Sequence, residues 1–486
     1  MTDPRPETPF DDKLHEECAV FGIFNRIDAG ALAALGLHAL QHRGQEAAGI
    51  VTYDGTQFIA ERHPGHVGDV FGDKSVHVQK LKGTQAVGHT RYSTTGGSSA
   101  RNIQPMFAEL AGGGIAVAHN GNLTNARALR SELVQDGAIF QSTSDTETIL
   151  HLIARSRFTP IVERLIDALK RVEGAYSLVA LTSKKLIGVR DPWGVRPLVL
   201  GDLAGSPILA SETCALDIIG AQFVRDVEPG DLVVATKDGI ESFHPFASRP
   251  HRFCIFEYVY FSRPDSTVEG RNVYMARKRI GEELARVKPV PADMVVPVPD
   301  SGVPAALGYA AASGLPFEFG IIRNHYVGRT FIEPSDRIRH LGVRLKHNPN
   351  RAELKGKRVV LVDDSIVRGT TSKRIVEMVC DAGATEVHFR IASPPTTHSC
   401  FYGVDTPNKE ELLAHRMDVE EMRQYIQADT LAFVSIDGLY RATGEAGRNS
   451  NSPQFCDACF TGDYPIDLPD LNGRRDAQLS LLAEVA

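Results

Sequence analysis

Several features are scarce in this sequence of 486 residues, and each scarcity argues against a class of protein. No apolar run is long enough to cross a bilayer, since GALAALGLHAL at residues 30–40 is short and is interrupted by His38. Basic residues are not in excess, because 53 lysines and arginines face 60 acidic residues, for a net charge of −7. The composition therefore predicts neither a membrane protein nor a general nucleic-acid-binding protein.

A secretory signal and a disulfide framework are also missing. Residues 1–17 are polar and acidic and contain prolines, so they lack the basic start and apolar centre of a signal peptide. We therefore expect a cytoplasmic protein. Seven cysteines, an odd number in a long chain, argue against paired disulfides and favour metal binding or catalysis.

The length and the changing texture of the chain predict two main domains. Residues 18–245 contain many short strands among helices, which predicts a layered α+β domain. Its helices are expected near 30–42, 124–136 and 145–172. Periodicity lapses over 246–270, a predicted linker, and 271–442 alternate helices with continuously apolar strands, as in a parallel sheet covered on both faces. Residues 443–486 are expected to wrap over the body of the protein.

The most specific local pattern is RVVLVDDSIVRGTTSKRIVEMV, at residues 358–379. An apolar strand leads into Asp363 and Asp364, and a turn of small residues feeds a helix, at the sheet edge where α/β proteins bind ligands. The turn amides and the hydroxyls of Thr370 and Thr371 suit a phosphate monoester, and adjacent acids suit a sugar or its magnesium complex. An ordinary capped helix entry is the alternative interpretation.

Residues 360–372 resemble, along their whole length, the phosphoribosyl diphosphate (PRPP) binding motif of type I phosphoribosyltransferases. The resemblance implies that Asp363 and Asp364 contact the ribose hydroxyls and the Mg²⁺ environment. It also implies that the loop VPVPDSGVP at 296–304 contacts pyrophosphate and Mg²⁺, with Ser301 as a metal ligand, and that the basic segment between the loops forms a lid. The PRPP residues implied in this way are Asp300, Ser301, Gly302, Tyr326, Arg329, Lys346, Asp363, Asp364, Ser365, Arg368, Gly369, Thr370 and Thr371.

Cys18 begins an apolar run directly after two glutamates, and alone it would be interpreted as a buried strand residue. Further segments change that interpretation: LQHRGQEAAGI (40–50), HTRYSTTG (89–96), HNGNLTN (119–125) and STSDTETIL (142–150). In this order they are similar to the N-terminal-nucleophile (Ntn) glutamine amidotransferase domain. A free amino-terminal cysteine carries its own base, because its α-amine titrates near about pH 8 and can accept the thiol proton.

The resemblance implies that Cys18 is the nucleophile once residues 1–17 are removed as a propeptide. Asn120 and Gly121 would form the oxyanion hole for the glutamyl thioester step. Arg91 would bind the carboxylate of glutamine and Asp145 its ammonium group. The implied glutamine residues are Arg43, which would support the cysteine end of the site, Arg91 and Asp145.

The pair CDAC at 456–459 is by itself ambiguous between zinc, redox chemistry and coincidence. Together with Cys254 and Cys400, it is similar to the cysteine set of glutamine PRPP amidotransferases that carry a [4Fe-4S] cluster. The implied ligands are Cys254, Cys400, Cys456 and Cys459. Four cysteines can also hold zinc, so the choice of iron–sulfur depends on the resemblance. Cys214 and Cys380 lie in apolar helical contexts and are expected to be packing residues.

Residues 18–465 as a whole resemble the amidophosphoribosyltransferase family in its propeptide-bearing, cluster-containing form. The resemblance implies an Ntn αββα domain plus a type I phosphoribosyltransferase α/β domain, in an enzyme that opens de novo purine synthesis. Ammonia from glutamine would pass internally to Mg-PRPP, giving 5-phosphoribosylamine, glutamate and pyrophosphate. A homotetramer or dimer inhibited by purine nucleotides is also implied. Two alternatives remain open: a non-catalytic PRPP- or purine-sensing regulator, and an amidotransferase with another sugar-phosphate acceptor.

Overall fold

Two antiparallel sheets form the centre of the amino-terminal half of the chain. The computed structural model describes residues 15–16, 18–72, 75–91, 100–324 and 347–472. The first sheet has seven strands, in spatial order Gln222–Asp226, Val199–Leu203, Ser206–Ala210, Cys18–Ile23, Gln85–Arg91, Ala47–Tyr53 and Phe58–Pro64. The second has six, in order Gly239–Phe243, Leu232–Thr236, Leu186–Arg190, Gly174–Thr182, Gly113–Leu123 and Met106–Leu110.

The two sheets pack face to face, and helices cover their outer faces, in the predicted αββα order. Val20, Val87 and Ala118 belong to the apolar core between the sheets. Alternate residues of the same strands, such as Phe21 and Val117, pack outward against helices. The helices of this half are Ala29–Ala39, Val67–Phe71, Val76–Lys80, Ala126–Gln135, Asp145–Arg155, Ile161–Leu169 and Cys214–Asp217, with 3₁₀ turns Gln41–Arg43 and Ala100–Asn102.

A four-stranded parallel sheet forms the second half, as its continuously apolar strands predict. The strand order is Met294–Pro297, Arg358–Asp363, Glu386–Ile391 and Thr430–Phe433. Apolar cores lie on both faces, which explains why these strands lack an alternating pattern. The helices are Val273–Val287, Val303–Ser313, Arg351–Leu354, Thr370–Asp381, Leu413–Arg416, Val419–Ile426, Ile436–Ala442, Ala458–Thr461 and Pro469–Asn472, with a 3₁₀ turn Lys409–Glu411.

Short two-stranded pairs and a π-helical turn, Glu257–Phe261, complete the described structure. The pairs are His15–Glu16 with Val404–Asp405, Phe253–Cys254 with Phe455–Cys456, Thr267–Val268 with Arg271–Asn272, and Ile321–Arg323 with His347–Pro349. Within the described part of the chain, no helix is both long and apolar enough to span a membrane.

Two local expectations are wrong. The helix expected over 145–172 is two helices, Asp145–Arg155 and Ile161–Leu169, because Pro160 caps the second and cannot continue the first. Cys380 is exposed rather than packed, since it falls outside the buried stripe of the amphipathic helix Thr370–Asp381. Cys214 is buried, as expected.

Candidate active site

The central strands place the predicted nucleophile and the predicted oxyanion donor on facing sheets. Cys18 shares a strand face with Val20, which lies in the core between the sheets. Asn120 shares a face with Ala118 of the same core, on the opposing sheet. The Cys18 side chain is 8% exposed, and Asn120 is fully buried. Both side chains therefore point into the layer between the two sheets.

The segment around Asn120 has the properties that an oxyanion hole requires. Within the described residues, no group hydrogen-bonds the amide Nδ2 or Oδ1 of this buried side chain. An unsatisfied buried amide is costly, so a ligand oxygen accepting from Nδ2 would be bound favourably. Gly121 has φ of 140°, and a Cβ there would lie 2.0 Å from the carbonyl oxygen of Ala175. Glycine is therefore needed at this position.

Arg91 faces the same layer as Cys18. In the strand register it pairs with Cys18 on one side and with Ala47 on the other, and it shares a face with Val87 of the inner core. A Cβ at Gly44 would lie 2.6 Å from the Arg91 amide nitrogen, so the loop can pack here only with glycine. The guanidinium can thus bind the carboxylate of a small ligand near the thiol.

Asp145 is held as an anion at the start of helix Asp145–Arg155. Burial disfavours its charge, but His119 and the Leu123 amide outweigh burial and lower the pKa of this carboxyl. The Leu123 amide donates to Oδ2 at 3.1 Å, and His119 Nδ1 lies 3.6 Å from Oδ1. The helix N-terminus also favours negative charge. An ionised carboxylate at this position can bind an ammonium group.

Arg43 binds carboxylates of the protein through a buried network that sequence reasoning missed. Its Nε bonds to Glu212, and its Nη2 lies 2.6 Å from Oε2 of Glu257. Glu257 also binds Arg196, with Nη1 3.2 Å from Oε1, and all four side chains are fully buried. Burial opposes the charge of Glu212, but Arg43 and His42 outweigh it and hold the pKa of that carboxyl well below its usual range. Arg43 can thus support the cysteine end of the site indirectly.

The second candidate site lies at the carboxyl end of the parallel sheet. Strand Arg358–Asp363 ends at the aspartate pair, and Asp363 and Asp364 are only 2% and 1% exposed. The Ser365 hydroxyl donates to Asp364. Burial lowers the pKa of Arg277 to about 10, and the negative charge of Asp364 acts against this shift.

The turn that precedes helix Thr370–Asp381 has the backbone of a phosphate site. Gly369 is the N-cap residue, with φ of 81°, and a Cβ there would lie 2.5 Å from Leu413 Cδ2. The first amides of this helix of 12 residues point toward the turn, and the helix dipole favours an anion there. Thr370 and Thr371 add hydroxyl groups. The turn can therefore bind a phosphate.

The predicted pyrophosphate loop adjoins this turn from the neighbouring strand. The Val298 amide donates to the Val362 carbonyl at 2.8 Å, and a Cβ at Gly302 would lie 2.4 Å from the same oxygen. Asp300 is exposed and bonds to Arg323 of the short strand Ile321–Arg323. Two loops from adjacent parallel strands therefore meet at one end of the sheet.

Some of the remaining predicted PRPP residues lie in the described part of the chain, and others lie outside it. Ser301 lies in the loop between Asp300 and Gly302. Arg368 binds Glu411 at 2.7 Å, with both side chains partly exposed. The lid residues Tyr326, Arg329 and Lys346 lie outside the described part of the chain.

The four cysteines predicted as cluster ligands lie near one another. Cys254 and Cys456 are directly paired in the short parallel strands. Burial raises the pKa of Cys254 to about 12, with Cys400 contributing. Burial, and then the charges of the other three cysteines, raise the pKa of Cys459 well above its usual range. Thiols that oppose one another's ionisation in this way share one neighbourhood, where a cation could hold them as thiolates.

The segment that carries Cys400 packs against the predicted oxyanion segment. Asn122 Nδ2 donates to the Phe401 carbonyl at 2.9 Å. Gly403 approaches so closely that a Cβ on it would lie 2.9 Å from the Cα of Gly121. The cysteine region and the amino-terminal half are thus in direct contact.

Comparisons with known proteins agree with this two-site arrangement. Residues 89–217 match a family model described as a glutamine amidotransferase domain, and residues 269–392 match one described as a phosphoribosyl transferase domain. Amidophosphoribosyltransferase of Rhizobium etli is 60% identical over 485 residues, covering 98% of each chain. The Bacillus subtilis enzyme of the same name is 48% identical over 456 residues, covering 94% of this chain and 95% of its own.

Solved structures give the same result. The glutamine PRPP amidotransferase of B. subtilis complexed with ADP and GMP has a TM-score of 0.88 and 47% identity, covering 93% of this chain and 98% of that one. A structure described as the allosteric regulatory enzyme of purine biosynthesis has a TM-score of 0.89, also at 47% identity, with 93% and 97% coverage. The predicted fold class, an Ntn glutamine amidotransferase domain joined to a phosphoribosyltransferase domain, is confirmed. The chain therefore belongs to the amidophosphoribosyltransferase family and catalyses the first step of purine biosynthesis, as its sequence predicts.

Proposed function

We propose that the chain releases ammonia from glutamine at Cys18 and delivers it internally to PRPP at the aspartate pair. The observation that carries the glutaminase assignment is the position of Cys18 and Asn120 on facing sheets, with a buried amide that lacks a protein partner among the described residues. The observation that supports the second site is the meeting of two loops at the carboxyl end of the parallel sheet.

The glutaminase step begins when the Cys18 sulfur attacks the side-chain amide carbon of glutamine. The thiol proton passes to the α-amine of Cys18, which requires removal of residues 1–17, and then to the departing ammonia. Asn120 Nδ2 and the Gly121 amide stabilise the oxyanion of the tetrahedral intermediate. Arg91 and Asp145 bind the carboxylate and ammonium of the substrate. Water then cleaves the thioester to release glutamate.

The second step forms a bond between the ammonia nitrogen and the anomeric carbon of PRPP while the bond to pyrophosphate breaks. Asp363 and Asp364 hold the ribose hydroxyls, and the turn before helix Thr370–Asp381 holds the 5-phosphate. Mg²⁺ bound with PRPP would neutralise pyrophosphate charge, and Ser301, Asp363 and Asp364 offer it oxygen ligands. The lid residues are proposed to close over the site and exclude water.

Replacing Asp364 by asparagine is expected to lower kcat/KM for PRPP by about a hundred-fold or more, because a ribose hydroxyl loses a charged acceptor. PRPP should also lose its ability to stimulate glutamine hydrolysis, because the variant would bind PRPP more weakly. Product formation with PRPP as sole acceptor and glutamate release with and without PRPP measure both effects. Glu377→Gln, on the exposed face of the same helix, is the matched control and should change neither.

The same assays on the parent protein, together with a PRPP-binding measurement, separate the two alternative functions. Intact PRPP binding with no glutaminase activity would favour a non-catalytic regulator. Glutaminase activity that yields no 5-phosphoribosylamine from PRPP would favour an amidotransferase with another acceptor.

We also propose that Cys254, Cys400, Cys456 and Cys459 hold a [4Fe-4S] cluster. An all-thiol donor set in a largely apolar environment fits such a cluster, which would supply cross-links between the linker, the second half and the C-terminal segment. A Cys254→Ser variant is expected to lose iron and to unfold at lower denaturant concentration. Iron, sulfide and zinc analysis with a urea titration measures this, with exposed Cys380→Ser as control. Stoichiometric zinc in the parent protein, or a folded and active variant without iron, would contradict the proposal.

The finer assembly and regulation are proposals as well. We infer that purine nucleotides inhibit the enzyme, because the similar B. subtilis protein was solved with ADP and GMP. A homotetramer or dimer is proposed from the family resemblance alone. The divisions at residues 1–17, 18–245, 246–270, 271–442 and 443–486 remain our proposed domain boundaries.

A further inference from the structure

Three side chains outside both sites converge at an edge of the seven-stranded sheet. Glu61 and His63 are alternate residues of the edge strand Phe58–Pro64, so they point to the same face. His77 lies in the short helix Val76–Lys80. None of the three belongs to the glutaminase site, the PRPP site or the cysteine set.

The two imidazoles meet at one carboxylate oxygen. His63 Nε2 and His77 Nδ1 each lie 2.7 Å from Oε2 of Glu61. The ring centroids are 3.9 Å apart, and the three ligand atoms all lie within 4.8 Å of one another. Lys80 Nζ lies 3.0 Å from the other oxygen, Oε1, so it fixes the carboxylate without occupying the shared position.

The chemical type of the three ligand atoms favours one class of cation. Two imidazole nitrogens and one carboxylate oxygen suit Zn²⁺ and its late first-row neighbours, whereas Mg²⁺ and Ca²⁺ prefer oxygen ligands throughout. Tetrahedral Zn²⁺ with bonds of about 2.0–2.2 Å sets its ligands roughly 3–3.5 Å apart, so small side-chain rotations would complete the site. His63 and His77 are 35% and 30% exposed, which leaves a side open for water as a fourth ligand.

We propose that Glu61, His63 and His77 form a divalent-cation site of the zinc class. Binding places the metal between the two ring nitrogens and Oε2, with both imidazoles neutral and their remaining protons on the outer nitrogens. The site joins an edge strand to the helix beside it, so the cation serves as a structural link. Lys80, a cation at the second carboxylate oxygen, weakens binding by charge repulsion.

The test is a Zn²⁺ titration of the full-length protein against a chromophoric chelator. The parent protein should bind one Zn²⁺ that the double variant His63→Asn/His77→Asn loses, or binds about a hundred-fold more weakly. His38→Asn, which removes an exposed histidine of another helix, is the matched control and should bind as the parent does. Lys80→Gln should bind Zn²⁺ more tightly than the parent.

Co²⁺ separates this site from the cysteines. Co²⁺ held by imidazole and carboxylate gives visible d–d bands without thiolate charge-transfer absorption, and those bands should be missing in the double variant. If the double variant fails to fold, Glu61→Gln keeps both imidazoles and should still weaken Zn²⁺ binding about ten-fold or more. The proposal would be overturned if the parent protein and the folded His63→Asn/His77→Asn or Glu61→Gln variant bound Zn²⁺ with equal stoichiometry and affinity. Co²⁺ spectra with thiolate bands alone would also overturn it.

Discussion

Replacing Cys18 by alanine is expected to abolish glutamine-dependent synthesis of 5-phosphoribosylamine while leaving ammonia-dependent synthesis near the parent rate. Loss of the nucleophile removes the thioester route, which we expect to cost at least about a thousand-fold in glutamate release. The proposed PRPP site lies in the other half of the chain and keeps its own acids and phosphate turn. Parallel assays with glutamine and with ammonium as the nitrogen source measure the two activities separately.

Two comparisons make this result specific. Cys380→Ala removes an exposed thiol far along the chain and should leave both activities unchanged. A denaturing intact mass of the parent protein should lack residues 1–17, because the proposed mechanism uses the α-amine of Cys18 as the base. An active preparation that retains those residues would rule out this thiol-plus-amine mechanism. Equal loss of both activities in Cys18→Ala would indicate that the variant is misfolded, which circular dichroism would show.

The parts of both sites that local sequence determines could be predicted. A strand that enters a turn of small residues and then a helix places Asp363 and Gly369 by chain connectivity alone. Strand alternation likewise determines that Cys18 and Val20 share a face. What the sequence does not provide is the order of strands in the sheets, and therefore that Asn120 faces the same layer as Cys18.

The parts of the structure that could not be predicted depend on contacts between segments that are far apart in the sequence. Glu212 and Glu257 meet at Arg43, although more than 160 positions separate Arg43 from either acid. The available signal was an acid inside the apolar run FCIFEYVYF, because such a residue is buried only with partners. The Glu61, His63 and His77 cluster was missed for a related reason, since the segment that joins its strand and helix shows no metal-ligand spacing.

Replacing Glu257 by glutamine is expected to destabilise the protein by about 3–5 kcal/mol. The carboxylate accepts from Arg43, Arg196 and Ser262, and each of these side chains is buried. Glutamine keeps the volume but removes the negative charge that the buried guanidinium groups of Arg43 and Arg196 both contact. Burial of an uncompensated cation costs far more than an exposed ion pair gains.

Urea unfolding measures this loss of stability. It can be followed by the fluorescence of Trp193, the single tryptophan, which lies near the network. Trp193 packs against the core that contains the π-helical turn of Glu257, so its emission reports on the unfolding of this core. Glu241→Gln, an exposed acid of strand Gly239–Phe243, is the matched control and should shift stability by less than about 0.5 kcal/mol. Glutamine hydrolysis should fall in Glu257→Gln as well, because Arg43 precedes Gly44, whose backbone packs on Arg91. A Glu257→Gln variant as stable as Glu241→Gln would show that other groups compensate the charges of Arg43 and Arg196.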